Sequence, residues 1–468
     1  MLFKNTLTVV LCLIALIAGA QFASPLLKTY EVKELQQDFQ HWRNKLESHH
    51  PLLYVYTPKH LLDRYFDSMY NEIKTPMTEL EFIRYMAPIN AMIRDGHTYV
   101  IPGKKTIQII REQAKLLPLE LTISENKMYV VQTLALGVPT MENAEILSVN
   151  HVKSEDILKI LLSNLESEGY SKSHAIGKIN ASFRFYYHLF FGFSDSFVIT
   201  YKPLNSQDSV CLIKADYLKN IQQIRKNISS SGPVSPKSGL NFHFLMAKQT
   251  AILKINTFSP NVTNRKFKRE IAMFFHQLNT NKTSNLIIDL RNNTGGNPYL
   301  VTYILRHVFN APFVQAIECR VVKNRNAEEF YKRTKRKWYP RYGIGRFKPK
   351  KNNYKGNIYV LVNEKTFSSG VIFSSVLNKY GRARFIGSAT GGNPVIMSGY
   401  LIKTSRELPH TRIQYSYGTL CTLYDKFSNN LGTTFTPEFE VENDRNDLLD
   451  TNDKVIEYTL NLINASLK

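Results

Sequence analysis

Four short stretches hold residue types that could do chemistry. The first is Val360–Gly370, where an apolar run ends in Asn363, Glu364 and Lys365 and continues through Thr366, Phe367, Ser368, Ser369 and Gly370. A buried strand there would end in a polar turn, and a helix would begin near Ser369. Such a turn exposes a serine at the sheet edge, and the first N–H groups of the helix have no intrahelical partner. Those donors suit a developing oxyanion. The setting is that of an exposed nucleophile, without the G-x-S-x-G sequence. Taken alone, a serine pair before a helix also reads as an N-cap.

The second stretch is Asp289–Gly296, directly after an apolar run; its Gly295 and Gly296 let backbone approach a ligand closely, or simply make a tight turn. The third is Asp95-Gly96-His97-Thr98, where glycine frees a loop histidine to act as a base. The fourth, Ile386–Pro394, is another glycine-rich turn; no lysine follows it as in a phosphate-binding loop.

The elements that would position these turns follow from periodicity. Val32–Leu46 and Met77–Ile93 space apolar residues at three and four, which predicts helices, and Thr75-Pro76 separates them. Leu119–Ile123 and Met128–Gln132 read as strands around a turn at Glu125-Asn126. Ala144–Asn150 then precedes a helical run over Ser154–Leu165, as in a small binding module. Ser229–Ser238, rich in serine, glycine and proline, is the best linker candidate within Tyr217–Leu240. Beyond it strands at Ala251–Asn256, Asn285–Leu290, Asn357–Asn363 and Arg384–Gly387 alternate with helices at Asn264–Leu278 and Ser369–Asn378. That alternation predicts an α/β layered fold.

With 468 residues, 43% hydrophobic and 12% aromatic, the chain has the composition of a multidomain globular protein. Lys4, the apolar run Leu7–Ile17 and Ala18-Gly19-Ala20 read as an export signal, too short for a spanning helix. An uncleaved anchor is the other reading. Past Cys12, the mature chain keeps Cys211, Cys319 and Cys421, without metal-ligand or redox spacing. No metal or organic cofactor is expected. The net charge of +22 concentrates between Arg320 and Lys355, with Lys332, Arg333, Lys335, Arg336 and Lys337 almost adjacent. Export argues against nucleic acid, and none is expected as a partner. An anionic envelope surface or an acidic substrate suits the patch, as does a solvated loop.

The joint order of the motifs is more specific than any one of them. D-L-R-x-N-x-G-G, then V-N-x-x-T-x-S, then I-G-x-x-T-G-G resembles the tail-specific, or C-terminal processing, serine peptidases. Asp95–Thr98 is similar to the tricorn-like, histidine-base branch of that family. Ala144–Asn150 resembles the carboxylate-binding loop and strand of its PDZ-like domain, and Thr436–Val441 its late strand. The resemblance implies a crotonase-like α/β catalytic domain of layered sheet and helix. It implies Ser368 as nucleophile, with an oxyanion hole from Ser369 and a glycine of Gly295-Gly296. The Ser–Lys members carry a glutamate where this chain has Val371 and a lysine where it has Asn393. A neutral asparagine cannot take the serine proton, so His97 is the expected base, oriented by Asp95 or Glu438. The tricorn branch has a serine where this chain has Gly96.

The organisation expected is a signal peptide over 1–20, a helical region over 21–102, a PDZ-like domain over 103–205, a linker over 206–240 and a peptidase domain over 241–468. The expected function is an exported serine-type endopeptidase of the periplasm or cell exterior. Its partner is a polypeptide, held through its C-terminal end by strand addition. The alternative is a catalytically inactive binding protein of the cell envelope on the same scaffold.

Overall fold

The computed structural model describes residues 24–228, 236–246, 249–322, 343–400, 406–425, 431–441 and 453–465. The expected signal, most of the 229–238 linker stretch and the Lys332–Lys337 cluster lie outside the described residues. Among the described residues, no helix is long and apolar enough to cross a membrane.

The N-terminal part begins with helices α1 (Val32–His49), α2 (Lys59–Glu72), α3 (Glu79–Met86) and α4 (Pro88–Ile93). Helix α1 buries Leu35, Phe39, Trp42 and Leu46, one stripe at three- and four-residue steps. Thr78 and Glu81 close a reciprocal capping box that starts α3. Pro88 cannot continue the ladder of α3, so the predicted Met77–Ile93 helix is two helices. A short strand β1 (Tyr99–Ile101) follows.

Next comes an antiparallel sheet of β2 (Leu119–Ser124), β3 (Lys127–Thr133), β4 (Glu145–Val149), β5 (Ser196–Lys202) and β6 (Ser209–Lys214), in the order β6-β5-β4-β3-β2. Glu125 and Asn126, both at positive φ, make the β2–β3 turn. Helices α5 (Ser154–Asn164) and α6 (Ser173–Phe191) lie between β4 and β5. Helix α6 caps the free edge of β2. Asn180 bonds the N–H of Ile123 at 2.7 Å, and Arg184 the carbonyls of Leu117 at 2.6 Å and Leu119 at 3.1 Å. Strand β6 and helix α7 (Leu218–Ile228) occupy part of the stretch expected as linker. Helices and sheet share one hydrophobic core, which also takes in Leu408, Ile413, Tyr415 and Tyr417 from far along the chain.

Strand β4 pairs with β3 on one side and β5 on the other. The segment expected to receive a substrate strand therefore has no open edge. Strand addition at Ala144–Asn150 itself is therefore closed off, because it needs unpaired backbone groups and here both flanks are taken.

The C-terminal part is built on β7 (Leu240–Leu245), β8 (Thr250–Ile255), β9 (Asn285–Asp289), β10 (Asn357–Val362), β11 (Arg384–Gly387) and β15 (Phe439–Glu440), adjacent in that order. All pairings are parallel except β7 with β8. Alternate residues feed opposite faces. Leu286, Ile288, Ile358, Val360 and Val362 enter one core, against helices α8 (Asn264–Thr280), α9 (Pro298–Val308) and α10 (Ser369–Lys379). Ile287, Tyr359 and Leu361 enter the other, against α11 (Lys454–Ala465). Both faces are covered, which is why these strands read as continuous apolar runs. Each fully buried Leu, Ile or Phe contributes about 1.5–3 kcal/mol.

Between β11 and β15 the chain leaves this sheet. It forms β12 (Ile396–Gly399), β13 (Gln414–Ser416) and β14 (Leu420–Leu423), and β13 pairs antiparallel with β1. That pairing joins the two halves next to His97.

Candidate active site

The glycine turn after β9 and the serine turn after β10 interlock through the polar residues of their motifs. Asn292 N–H donates to Asn363 Oδ1 at 2.9 Å, and Asn363 Nδ2 returns a bond to Asn292 Oδ1 at 3.1 Å. Thr366 Oγ1 donates to the Leu290 carbonyl at 2.9 Å, and Phe367 N–H to the Asn293 carbonyl at 2.9 Å. Asn293 is fully buried; its Nδ2 donates to the Ile255 carbonyl and its Oδ1 accepts the Gly295 N–H, each at 2.8 Å. Asp289 and Asp453 are both bridged by Arg291, whose fork spans them with four bonds between 2.6 and 2.9 Å. The aspartate and arginine of the motif therefore anchor the turn to the start of α11.

Ser368 stands at the head of α10 with φ 51° and ψ −119°, a conformation L residues rarely adopt. Its side chain makes no capping hydrogen bond, so the N-cap reading of the serine pair does not hold. Gly295, at φ 100°, lies directly against it: a Cβ there would come 2.6 Å from Ser368 Cβ and 2.8 Å from Ser369 N. Ser369 Oγ donates to the Gly296 carbonyl at 2.7 Å. Among the described residues, Gly296 and Ser369 keep N–H groups without a hydrogen bond, whereas the Gly295 N–H is occupied by Asn293.

The histidine turn follows α4, which ends on Arg94 in the left-handed conformation. Asp95 is buried and accepts from every side. Oδ1 takes Ser398 Oγ at 2.7 Å and the His97 N–H at 3.3 Å; Oδ2 takes Thr98 Oγ1 at 2.7 Å and His50 Nε2 at 2.8 Å. His50 Nδ1 accepts the Leu52 N–H at 3.0 Å, so the proton of that ring sits on Nε2, facing Asp95. Burial pushes the Asp95 carboxyl up, but bonds from His50 and His97 and their charge outweigh it and hold the group well below the usual carboxylate range. Tyr400 Oη donates to the His97 carbonyl at 2.8 Å. His97 Nδ1 is buried and lies 3.8 Å from Asp95 Oδ1.

The two turns meet through Phe367. Its buried ring lies 4.8 Å from the His97 ring and 4.1 Å from that of His174 on α6. A Cβ on Gly96 would meet that ring at 2.8 Å, so only glycine fits where the tricorn branch has serine. Burial, with the charge of His97, lowers His174 to about 3. Among the described residues no hydrogen bond joins Ser368 to His97.

Of the residues singled out in the sequence, the structure brings Ser368, Ser369, Gly295 and Gly296 together, and sets Asp95 and His97 beside them through Phe367. Glu438 stands apart. It is half exposed, bonded to Arg384 at 2.7 Å, and precedes β15 at the starting end of the parallel strands, whereas Ser368 follows the finishing end. The Glu438 alternative as orienting acid is corrected on that ground. Val371 is wholly buried in the core. Asn393 is locked: Oδ1 accepts the N–H of Val395 at 2.7 Å and of Ile396 at 3.2 Å, and Nδ2 donates to Tyr56 Oη at 3.1 Å. The place of a base lysine is thus a structural asparagine turn.

Sequence reasoning missed His50, Glu168 and the pair Ser398 and Tyr400, which come from three distant segments and carry no motif. Asp95, His97 and Glu168 have donor atoms within 4.8 Å of one another. Asp95 already accepts from four donors, and burial with the Asp95 charge raises Glu168 well above the usual range.

Residues 249–419 match the model of peptidase family S41. Among solved structures the fold is similar to mature CPAF, 16% identical, covering 93% of this chain and 98% of that one at a TM-score of 0.65. Mature CPAF complexed with lactacystin is similar at 15% identity, the same coverage and a TM-score of 0.65. The photosystem II D1 C-terminal processing protease is similar at 14% identity, 92% and 97% coverage and a TM-score of 0.44. No curated protein matches the chain.

Proposed function

We propose that this chain, whose residues 249–419 match the model of peptidase family S41, is an exported serine-type endopeptidase with Ser368 as nucleophile and His97 as base. The observation that carries the reading is the backbone of Ser368, held at φ 51° and ψ −119° at a helix start with Gly295 pressed against it. Strain of this kind costs about 1–3 kcal/mol and persists where surrounding structure enforces it, commonly at functional sites.

The chemistry follows from the groups in place. Ser368 Oγ attacks the scissile carbonyl, and its proton passes to His97 Nε2. Asp95 faces Nδ1, which leaves Nε2 as the basic nitrogen. The carbonyl oxygen takes the displaced electron pair and is met by the N–H groups of Ser369 and Gly296. His97 returns the proton to the leaving amine as the C–N bond breaks, and water then cleaves the acyl-enzyme. Closure on a substrate brings His97 and Ser368 within bonding reach, as apo catalytic contacts are often long.

The finer architecture we read as a crotonase-like catalytic unit and a PDZ-like sheet. A groove of about 650 Å³ between β2 and α6, lined by Leu119, Leu121, Phe183, Arg184 and Lys365, suits a chain end better than a strand, since α6 already covers the β2 edge. Export rests on Lys4–Ala20. Contact with an anionic envelope surface rests on the basic segment 320–355, of which residues 323–342 lie outside the described residues.

The test is labelling with a fluorophosphonate probe, mapped by mass spectrometry, beside cleavage of an unfolded protein substrate. Labelling at Ser368 that is absent in folded Ser368→Ala and strongly slowed in His97→Ala supports the reading. A folded wild type that neither labels nor cleaves returns the chain to the binding-scaffold alternative.

A further inference from the structure

We propose that Glu168 is a positioning residue of the base, a buried carboxyl that decides which nitrogen of His97 carries the proton. The proposal rests on His97 being the base.

Glu168 sits on the turn before α6. Gly169 N–H bonds the Arg94 carbonyl at 2.9 Å, and Tyr170 N–H the Gly432 carbonyl at 2.7 Å, so this turn is clamped between the histidine turn and the C-terminal half. The Glu168 side chain points inward: it is 1% exposed, and Oε2 accepts the Gly96 N–H at 2.9 Å. Two buried atoms nearby have no hydrogen-bond partner among the described residues, Glu168 Oε1 and His97 Nδ1. An oxygen of Glu168 and a ring nitrogen of His97 lie within 4.8 Å.

A buried carboxyl is an expensive way to hold one backbone N–H, since a glutamine would do so without the desolvation cost. Asp95 biases Nδ1 only at a distance, because its oxygens already receive four donors and it stands 3.8 Å from Nδ1. Glu168 Oε1 is the acceptor left over. Ionised, Glu168 takes the Nδ1 proton in a hydrogen bond and leaves Nε2 bare for Ser368. Protonated on Oε1, it donates to Nδ1, the ring proton moves to Nε2, and the base is switched off. The titratable and charged groups around it are Asp95, His97 and Arg94 on the histidine turn, His50 behind Asp95, His174 and Lys178 on α6, Glu166 on its own turn, and Tyr56.

The geometry sets an unusual order among variants. In Glu168→Gln the amide oxygen keeps the Gly96 bond, so the NH2 takes the place of Oε1 and donates permanently to Nδ1. Glu168→Ala leaves the nitrogen unclaimed. The full-length protein is labelled with fluorophosphonate from pH 5 to 9, and the His97 ring nitrogens are read by 15N NMR, assigned by the signal lost in His97→Gln. The proposal expects Glu168→Gln to label about tenfold or more slower than Glu168→Ala at every pH, with the proton on Nε2. A merely structural Glu168 gives the reverse order, with Gln at or near wild-type rate and an unchanged tautomer, and that result overturns it. If wild-type Ser368 does not label at all, the peptidase reading fails, and the NMR tautomer alone decides the role of Glu168.

Discussion

The ring of Phe367 lies 4.8 Å, centroid to centroid, from the imidazole of His97, and the next residue in the chain is Ser368. The proposed base and nucleophile are therefore aligned by apolar packing rather than by a bond of their own. The same ring touches His174, so three elements converge on one side chain.

Gly295 is a sensitive backbone position beside Ser368. At φ 100° any L residue is strained by about 1–3 kcal/mol, and a methyl there would strike Ser368 Cβ. Gly295→Ala should stay folded by circular dichroism yet lose fluorophosphonate labelling by about 100-fold or more, as expected when an oxyanion-hole donor and the nucleophile are displaced. Labelling at the wild-type rate would remove Ser368 from the role assigned to it.

Asp95 is a buried anion that collects His50, Thr98, Ser398 and the His97 backbone. Asp95→Asn replaces an acceptor of four bonds with a group that must also donate, and should cost about 3–5 kcal/mol in urea unfolding. Because its folded pKa is depressed, its contribution is present above the unfolded value of about 3.9 and is lost as pH falls through the folded value. The wild-type advantage over Asp95→Asn should therefore shrink only in strong acid.

His174 behaves oppositely to a paired histidine. It is neutral in the fold, with a pKa lowered to about 3 from 6.5, so below 6.5 the unfolded chain binds the extra proton. Stability should fall by about 1.4 kcal/mol for each pH unit of acidification in that window. His174→Leu should flatten this part of the profile in thermal melts; an unchanged slope would mean that the ring is not buried neutral.

Arg291 bridges Asp289 and Asp453 in a partly buried fork. Arg291→Met strands two carboxylates, for an expected loss of about 3–5 kcal/mol. Hydrogen exchange should show α11 opening before the rest of the sheet. Uniform destabilisation would argue that the fork does not tether that helix.

Much of the C-terminal sheet was legible because buried parallel strands leave plain apolar runs, as in Asn285–Asp289 and Asn357–Val362, and each ends in a polar turn. The motif residues were legible as a set because they bond one another: Asn292 with Asn363, Asn293 with Phe367, Thr366 with Leu290. What stayed hidden was long-range. Glu168 lies 1% exposed in an unremarkable turn, and only the folded chain sets it against Gly96. The pairing of β1 with β13 has no local signal, because strand partners are chosen by tertiary packing. Ala144–Asn150 was legible as a strand, but its neighbours, which decide whether a peptide can join it, were not.

The pairing of Tyr99–Ile101 with Gln414–Ser416 also has a bearing on biosynthesis. The His97 turn is made early and the strand that seats it is made late. A nascent chain carries His97 long before it carries Ser398, Tyr400 or β13, and a ribosome-bound intermediate holds no finished site. The peptidase activity proposed above would thus be confined to chains whose late segments have been synthesised and folded.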